Sequence, residues 1–209
     1  MDSPLTIAII VVTCLISFQG FSNQMVLQQL LFRPFSIQNR GEWYRFISSG
    51  MIHADVMHLF FNMFSFWSFG PIVEMAFVDL FDEWGRLLYV LYYISAIAAA
   101  SLPVFFQQRE NAVYASLGAS GAVSAVILTT IFLHPTMSVG LLFLPIPIPG
   151  YLFAIIYMAA SAYLSGRSRD NIAHDVHLYG AIYGFLFLIP FKPFLWERFV
   201  EQVFGALPF

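Results

Sequence analysis

Apolar residues in this chain do not alternate with polar ones. They come in long blocks separated by short polar or proline-rich links. Blocks of this length exceed what an amphipathic surface helix or a half-buried strand produces. A membrane-crossing helix needs about 20 residues, with a range of roughly 17–25. Candidate spans fall at Pro4–Gly20, Val56–Phe77, Leu87–Phe106, Ala115–Leu133, Gly150–Leu164 and Ile172–Pro190. The pattern predicts an all-α membrane protein with six transmembrane helices, a single polytopic domain over residues 1–209 that ends in a tail from 191. Span five is short by itself and draws on residues before Gly150.

The links are uneven. Residues 21–55 form a long connection carrying Arg33, Arg40, Trp43, Tyr44 and Arg45, a mixture that suits the membrane–water interface. Residues 78–86 read as a short acidic turn and 165–171 as a polar one. Between 134 and 149, Pro145, Pro147 and Pro149 forbid a regular helix and predict a stiff, extended, apolar link. In the tail, Trp196, Phe199, Val200 and Val203 alternate with Glu197, Arg198 and Glu201 as in a helix lying on a membrane surface.

Composition agrees. The chain is 59% hydrophobic and 10% charged, against about 25% charged residues in an ordinary soluble domain, so it has too few charges to clothe a soluble surface. A net charge of −3 points to no nucleic-acid partner, and the single cysteine, Cys14, excludes an intramolecular disulfide framework. Asp2 in the n-region, with no clean cleavage site after Phe18, argues against a cleaved signal peptide. Arginine counting favours an N-terminus on the outer side, because the links on the opposite side from Met1 hold Arg33, Arg40, Arg45, Arg109, Arg167 and Arg169.

Spans two, four and six enter the membrane from the same side, and each begins with polar residues. His58 and Asn62, four apart, share a face of span two. His177, Gly180 and Gly184 share a face of span six, and Gly121 and Ala125 form a matching small-residue seam on span four. Packing seam to seam would bring His177 beside Ser120, which lies between Gly118-Ala119 and Gly121, about one or two turns into span four. Polar residues within a membrane are costly and by default functional. A serine hydroxyl among small residues and beside an imidazole has the parts of a nucleophile and general base. His58 and Asn62 can donate to an oxyanion.

Blander readings exist for each feature. The small-xxx-small spacing (Gly118/Ala122, Gly121/Ala125) could serve helix packing alone, and His58 and Asn62 could simply bond across helices. His53, His58, His174 and His177 could hold zinc, but that would leave Ser120 without a purpose, so no metal and no cofactor is expected. His174 reads as a supporting or surface residue.

The three motifs together, His58-Leu-Phe-Phe-Asn62, Gly118-Ala-Ser120-Gly121 and His177-Leu-Tyr-Gly180-Ala-Ile-Tyr-Gly184, resemble those of the rhomboid intramembrane serine proteases. Tyr44-Arg45 is similar to the family's Trp-Arg pair, and His53 and Glu74 fall where the family has such residues. The resemblance implies a rhomboid-like bundle in which Ser120 is the nucleophile and His177 the base of a dyad. His58, Asn62 and the Ser120 backbone N–H would form the oxyanion hole, supported by His53, Gly118, Gly121, Gly180 and Gly184. It implies transmembrane protein substrates, no cofactor, and a minimal form of bacterial type in the inner membrane. The N-terminus would be cytoplasmic and the site open to the outer face, against the arginine count. Ser124 departs from the tyrosine that many relatives carry four residues after the nucleophile, and Tyr179 is a candidate substitute. A non-cleaving rhomboid-like adaptor and a small channel or transporter are the rival readings. Substrate identity and oligomeric state are not legible.

Overall fold

The computed structural model describes residues 3–141, 144–165, 167 and 173–206. Helix α1 (Pro4–Ser22) is followed by short helices α2 (Gln24–Leu30), α3 (Pro34–Arg40) and α4 (Arg45–Ser48) and a 3₁₀ turn at Ser49–Met51. The long helices α5 (Val56–Phe81) and α6 (Gly85–Gln108) form a hairpin, and α7 (Ser120–Leu133) comes next. Strands β1 (Ser138–Leu141) and β2 (Leu144–Pro149) precede α8 (Gly150–Leu164), α9 (His174–Leu186) and α10 (Phe194–Gly205).

Helix α1 is turned inside out relative to a soluble helix. Its buried residues are Thr6, Thr13, Ser17 and Gly20, while Ile7, Val11, Val12, Leu15 and Phe18 are exposed. That is the pattern expected where the surroundings are lipid and small or polar residues make the helix contacts. The start of α1 is capped from α5. Buried Glu74 accepts from the Leu5 and Thr6 amides at 3.0 and 2.7 Å and from the Thr6 hydroxyl at 2.7 Å. A carboxylate there satisfies orphan N–H groups and complements the helix dipole. Tyr89 closes the network through a 2.8 Å bond to Thr6 Oγ1.

Helix α7 is the central element. All of its residues except Ser120 and Ile127 are buried. It packs on α9 along the seam expected from the sequence. A Cβ on Gly180 would lie 2.1 Å from the Gly121 carbonyl oxygen, and one on Gly184 would lie 2.0 Å from that of Ala125. The two helices are therefore parallel and in backbone contact. Deeper in the bundle, Thr129 donates to the Gly184 carbonyl at 2.8 Å and bonds Tyr92 of α6 at 2.5 Å, locking the same pair to a third helix. The core around these contacts is aromatic, with Phe66, Phe77, Tyr89, Tyr92 and Phe132 fully buried.

Several predicted boundaries move. Span four begins at Ser120 rather than Ala115, because Ser116 pairs with Phe32, Gly118 takes φ +115° and Ala119 is a turn residue. Ser120 is thus the first helical residue, not one or two turns inside. Helix α5 runs to Phe81, so the expected 78–86 turn shrinks to Asp82–Trp84, with Gly85 set against the Phe77 carbonyl. The described part of span six is helical from His174 to Leu186 and ends in turns before Pro190. The proline-rich link is extended as expected, and β1 and β2 pair antiparallel. Of the predicted 165–171 turn, all but Ser165 and Arg167 lies outside the described residues.

Among the described residues, two helical stretches are long and apolar enough to cross a membrane, Pro4–Ser22 and the α5–α6 stretch Val56–Gln108. Helices α7 and α8 are apolar but shorter. Helix α10 is amphipathic as predicted. Phe199 packs on Phe132 and Phe185, while Glu197, Arg198 and Glu201 are exposed.

Candidate active site

The turn before Ser120 is held almost entirely by the long first link. Phe32 and Ser116 exchange backbone hydrogen bonds at 2.9 and 3.1 Å, and the Gly118 amide donates to the Ser49 carbonyl at 2.9 Å. The Ala119 amide donates to His53 Nε2 at 3.3 Å. Residues 21–55 were read from sequence as an interfacial segment. They also form the platform that aims the start of α7.

That platform is internally braced. Buried Arg45 pairs with Glu42 at 2.5 Å and donates to the Gln28 and Leu31 carbonyls at 3.1 and 2.8 Å. Ser48 donates to the Leu30 carbonyl at 3.0 Å. Trp43, Phe46 and Phe105 form an aromatic cluster that ties the link to α6.

His53 is fully buried and has its tautomer fixed by its neighbours. Nε2 accepts from Ala119, so Nδ1 carries the proton and donates to Ser17 Oγ at 2.9 Å. Ser17 in turn donates to the Met51 carbonyl at 3.1 Å. A relay of two hydrogen bonds through His53 thus connects Ser17 of α1 to the residue beside Ser120, and a third ties Ser17 to Met51. Burial, reinforced by the neighbouring His58 and opposed by Asp55, lowers the His53 pKa from 6.5 to about 3. The unfolded chain takes up this proton near pH 6.5, whereas the folded one does so only near pH 3. The contribution to stability is complete above pH 6.5 and is lost as pH falls toward 3.

Two results follow. His53→Leu leaves the buried Ala119 amide without an acceptor and destabilises by about 1–3 kcal/mol. His53→Gln keeps an acceptor that does not titrate, so its melting temperature depends less on pH between 6.5 and about 3 than the wild type's. Superimposable pH–melting curves for wild type and His53→Gln would contradict the relay.

His58 lies in the first turn of α5, whose start is capped by Asp55 accepting from the His58 amide at 2.8 Å. Its ring sits directly over Gly118, where a Cβ would come within 2.8 Å of Cε1 and 2.9 Å of Nε2. Any side chain at 118 would displace that imidazole, and the positive φ favours glycine independently. His58 Nδ1 faces the Ala54 amide at 3.5 Å, which leaves Nε2 as the N–H donor on the side of the Ser120 turn. Asn62, one turn deeper and buried, donates through Nδ2 to the His58 carbonyl at 2.9 Å. One of its two amide protons is thereby committed and the other remains.

His177 lies in the first turn of α9, three residues before Gly180. Because Gly180 rests on Gly121 and Val176 also meets Gly121, the parallel register brings the start of α9 level with the start of α7. Ser120, Gly118, His58 and His177 are all half-buried rather than sealed. His58, Ser120 and His177 each stand in the first turn of a helix, α5, α7 and α9 respectively. His174 lies with its ring 6.0 Å from that of His177, and His134 lies at the other end of α7. Among the described residues, no group of three or more His, Cys, Asp or Glu side chains could hold a metal.

The Tyr179 hydroxyl accepts from Gln107 at 3.1 Å, at the end of α6. Ser124 instead bonds Tyr157 of α8 at 2.6 Å. Ser17, Phe32, Ser49 and Tyr157 were not singled out from the sequence. Only Ser17 left a side-chain signal there, as part of the stripe with Thr6 and Thr13 on an otherwise apolar helix.

An arrangement with a hydroxyl at a helix start, a parallel helix carrying an imidazole at the same level, and a second imidazole donor over the intervening turn can perform acyl transfer. Comparison with known proteins agrees. The family description "Rhomboid domain" matches residues 40–194, well over half the chain, and the chain belongs to the rhomboid family. It is 29% identical over 168 residues to "RHOMBOID-like protein 12, mitochondrial" of Arabidopsis thaliana, covering 74% of this chain and 49% of that protein. It is 29% identical to "Putative rhomboid protease YdcA" of Bacillus subtilis, covering 70% and 66%. It is 25% identical to "Rhomboid protease GlpG" of Haemophilus influenzae, covering 80% and 78%.

The chain spans about half the length of the first two curated relatives it matches. Like its family, it is an integral membrane protein of mostly helical structure, and its exposed apolar helix faces fit that setting. The relatives' names are mitochondrial and chloroplastic as well as bacterial, so they do not favour the bacterial inner membrane expected from the resemblance.

Proposed function

We propose that this protein is an intramembrane serine endopeptidase that cuts transmembrane protein substrates with Ser120 as nucleophile and His177 as general base. The observation that carries the reading is the glycine seam between α7 and α9, which aligns the starts of the two helices while His58 covers the turn between them. Ser120 Oγ attacks the scissile carbonyl as His177 takes its proton. The C–N bond breaks, His177 returns the proton to the leaving amine, and water then releases the acyl group from Ser120. The Ser120 N–H, with no carbonyl four residues earlier in its helix, joins His58 Nε2 and the free Asn62 proton as oxyanion donors.

The reading is of six spans in one domain, with α7, α8 and α9 as short members. A helix rises 1.5 Å per residue, so the 14 residues of α7 cover about 21 Å of a hydrocarbon core about 30 Å thick. A helix shorter than that core supports a recessed Ser120, inside the membrane and within reach of water from one side. The substrate helix must open locally before its carbonyls can be attacked, so helix-breaking residues near the scissile bond favour cleavage.

Incubation of the purified chain with a single-span model substrate tests the reading. A defined pair of products is expected. Binding without cleavage would favour the adaptor reading, and ion or solute flux without cleavage the channel.

The N-terminus is proposed to be cytoplasmic, with the site open to the outer face. Arg45 is held by Glu42 and two carbonyls, so it reports on packing rather than on insertion. Arg33 donates to the Gln28 side chain. In a Cys14→Ser background expressed in intact bacterial cells, an impermeant thiol reagent should label Arg167→Cys and spare Ser138→Cys. The reverse pattern would place the site on the cytoplasmic face.

A further inference from the structure

Tyr157 arrives at the nucleophile turn from a helix that contributes none of the residues assigned above. Ser124 Oγ donates to the Ser120 carbonyl at 2.7 Å, and a carbonyl can only accept. The single Ser124 proton is therefore committed. The 2.6 Å contact between Ser124 Oγ and the Tyr157 phenol is then a bond in which the phenol donates. The result is a directed chain, Tyr157 O–H to Ser124 Oγ and Ser124 O–H to Ser120 C=O, that ends on the backbone of the proposed nucleophile.

We infer that Tyr157 is a positioning residue for Ser120, acting through Ser124 to set the orientation of the first turn of α7. The inference rests on the protease reading of Ser120. Helix α8 buries only Gly150, Ala154 and Ser161 of its 15 residues, and meets the cluster around Leu128 and Ile131 of α7 through Phe153, Ala154, Tyr157 and Met158. Tyr157 reaches in from that sparsely buried helix, its ring stacked on Phe153. Ser124 itself is almost fully buried, and consecutive hydrogen bonds in a low-dielectric setting reinforce each other. A serine bonding back to the carbonyl four residues earlier often bends its helix, and the carbonyl taken here belongs to the residue whose hydroxyl must point at the substrate. The position of α8 is thereby coupled to the aim of Ser120 without Tyr157 touching the reacting atoms.

The test separates turnover from binding and from folding, using the full chain and a transmembrane model substrate. Tyr157→Phe removes the first donor and Ser124→Ala removes the link. Each should lower kcat about 3- to 20-fold, the range spanned by interhelical hydrogen bonds in membranes. KM should stay within about twofold. The double variant should be no slower than Ser124→Ala alone, because both changes interrupt one chain. Ser124→Thr, which keeps the hydroxyl, should recover most of the loss. The rate at which a fluorophosphonate labels Ser120 should fall in parallel with kcat.

Wild-type kcat and labelling rate in both single variants would overturn the inference, as would losses that multiply in the double variant or a change confined to KM. A kcat loss that tracks a lowered melting temperature, with no rescue by Ser124→Thr, would make the bond merely structural and overturn it too. A wild-type chain that neither cleaves nor is labelled would overturn the protease reading and this inference with it.

Discussion

Ser120→Ala is expected to abolish cleavage of a transmembrane substrate, a fall of at least about 10³-fold, while the protein stays folded. The hydrogen bonds that hold residue 120 in place run through its backbone, since Ser124 donates to its carbonyl and the preceding amides are anchored by Ser49 and His53. An alanine keeps all of these. His177→Ala is equally damaging, and the Ser120/His177 double variant is little worse than either single, as expected when nucleophile and base act as one unit. His174→Ala retains most activity, because His174 begins α9 one turn before His177, away from the seam at Gly180. His58→Ala falls between these cases. Losing one oxyanion donor costs about 10²–10³-fold, and less where Asn62 and the Ser120 amide carry part of the load. Near-wild-type turnover in Ser120→Ala or His177→Ala would refute the dyad.

The second large effect is on the fold. Gly184→Leu should destabilise by about 2–3 kcal/mol or more and eliminate activity. Even the first carbon of the new side chain would lie 2.0 Å from the Ala125 carbonyl oxygen, and its Cα and carbonyl carbon are only 2.5 and 2.6 Å away. All three obstacles are main chain, so no side-chain rotation relieves the clash and α9 must separate from α7. The Thr129–Gly184 bond would break with it. Gly180→Ala meets Gly121 in the same way. Gly140→Ala and Gly205→Ala are the controls, since a Cβ at either meets nothing within 4 Å. Melting in detergent reads the difference. A Gly184→Leu protein that melts with the wild type and still cleaves would remove the seam from the account.

The seam was legible in the sequence because its logic is carried by side chains. Glycine at 180 and 184 on one face, and Gly121 with Ala125 on another, admit few uses besides close approach. The grouping of His58, Ser120 and His177 at one end followed from span parity and helical rise alone. The first link was only partly legible. Its aromatics and arginines spoke of the interface, but its main task is done by backbone groups of Phe32 and Ser49, which leave no mark on a pattern of side chains. The start of α7 was misplaced for a related reason. An apolar run from Ala115 reads as helix, yet Ser116 and Gly118 are held out of it by backbone bonds to that link and by the φ of Gly118. Tyr157 was invisible because hydrophobic runs do not say which aromatic on one helix meets which hydroxyl on another.

The proposed role of Ser120, a nucleophile activated where α7 and α9 meet, has one direct test: the folded, membrane-reconstituted protein is treated with a fluorophosphonate and the adduct mapped by mass spectrometry. A single modified residue, Ser120, is expected, with labelling lost in His177→Ala and kept in His174→Ala. An adduct on Ser116 or Ser124, or labelling of Ser120 that is indifferent to His177, would contradict it.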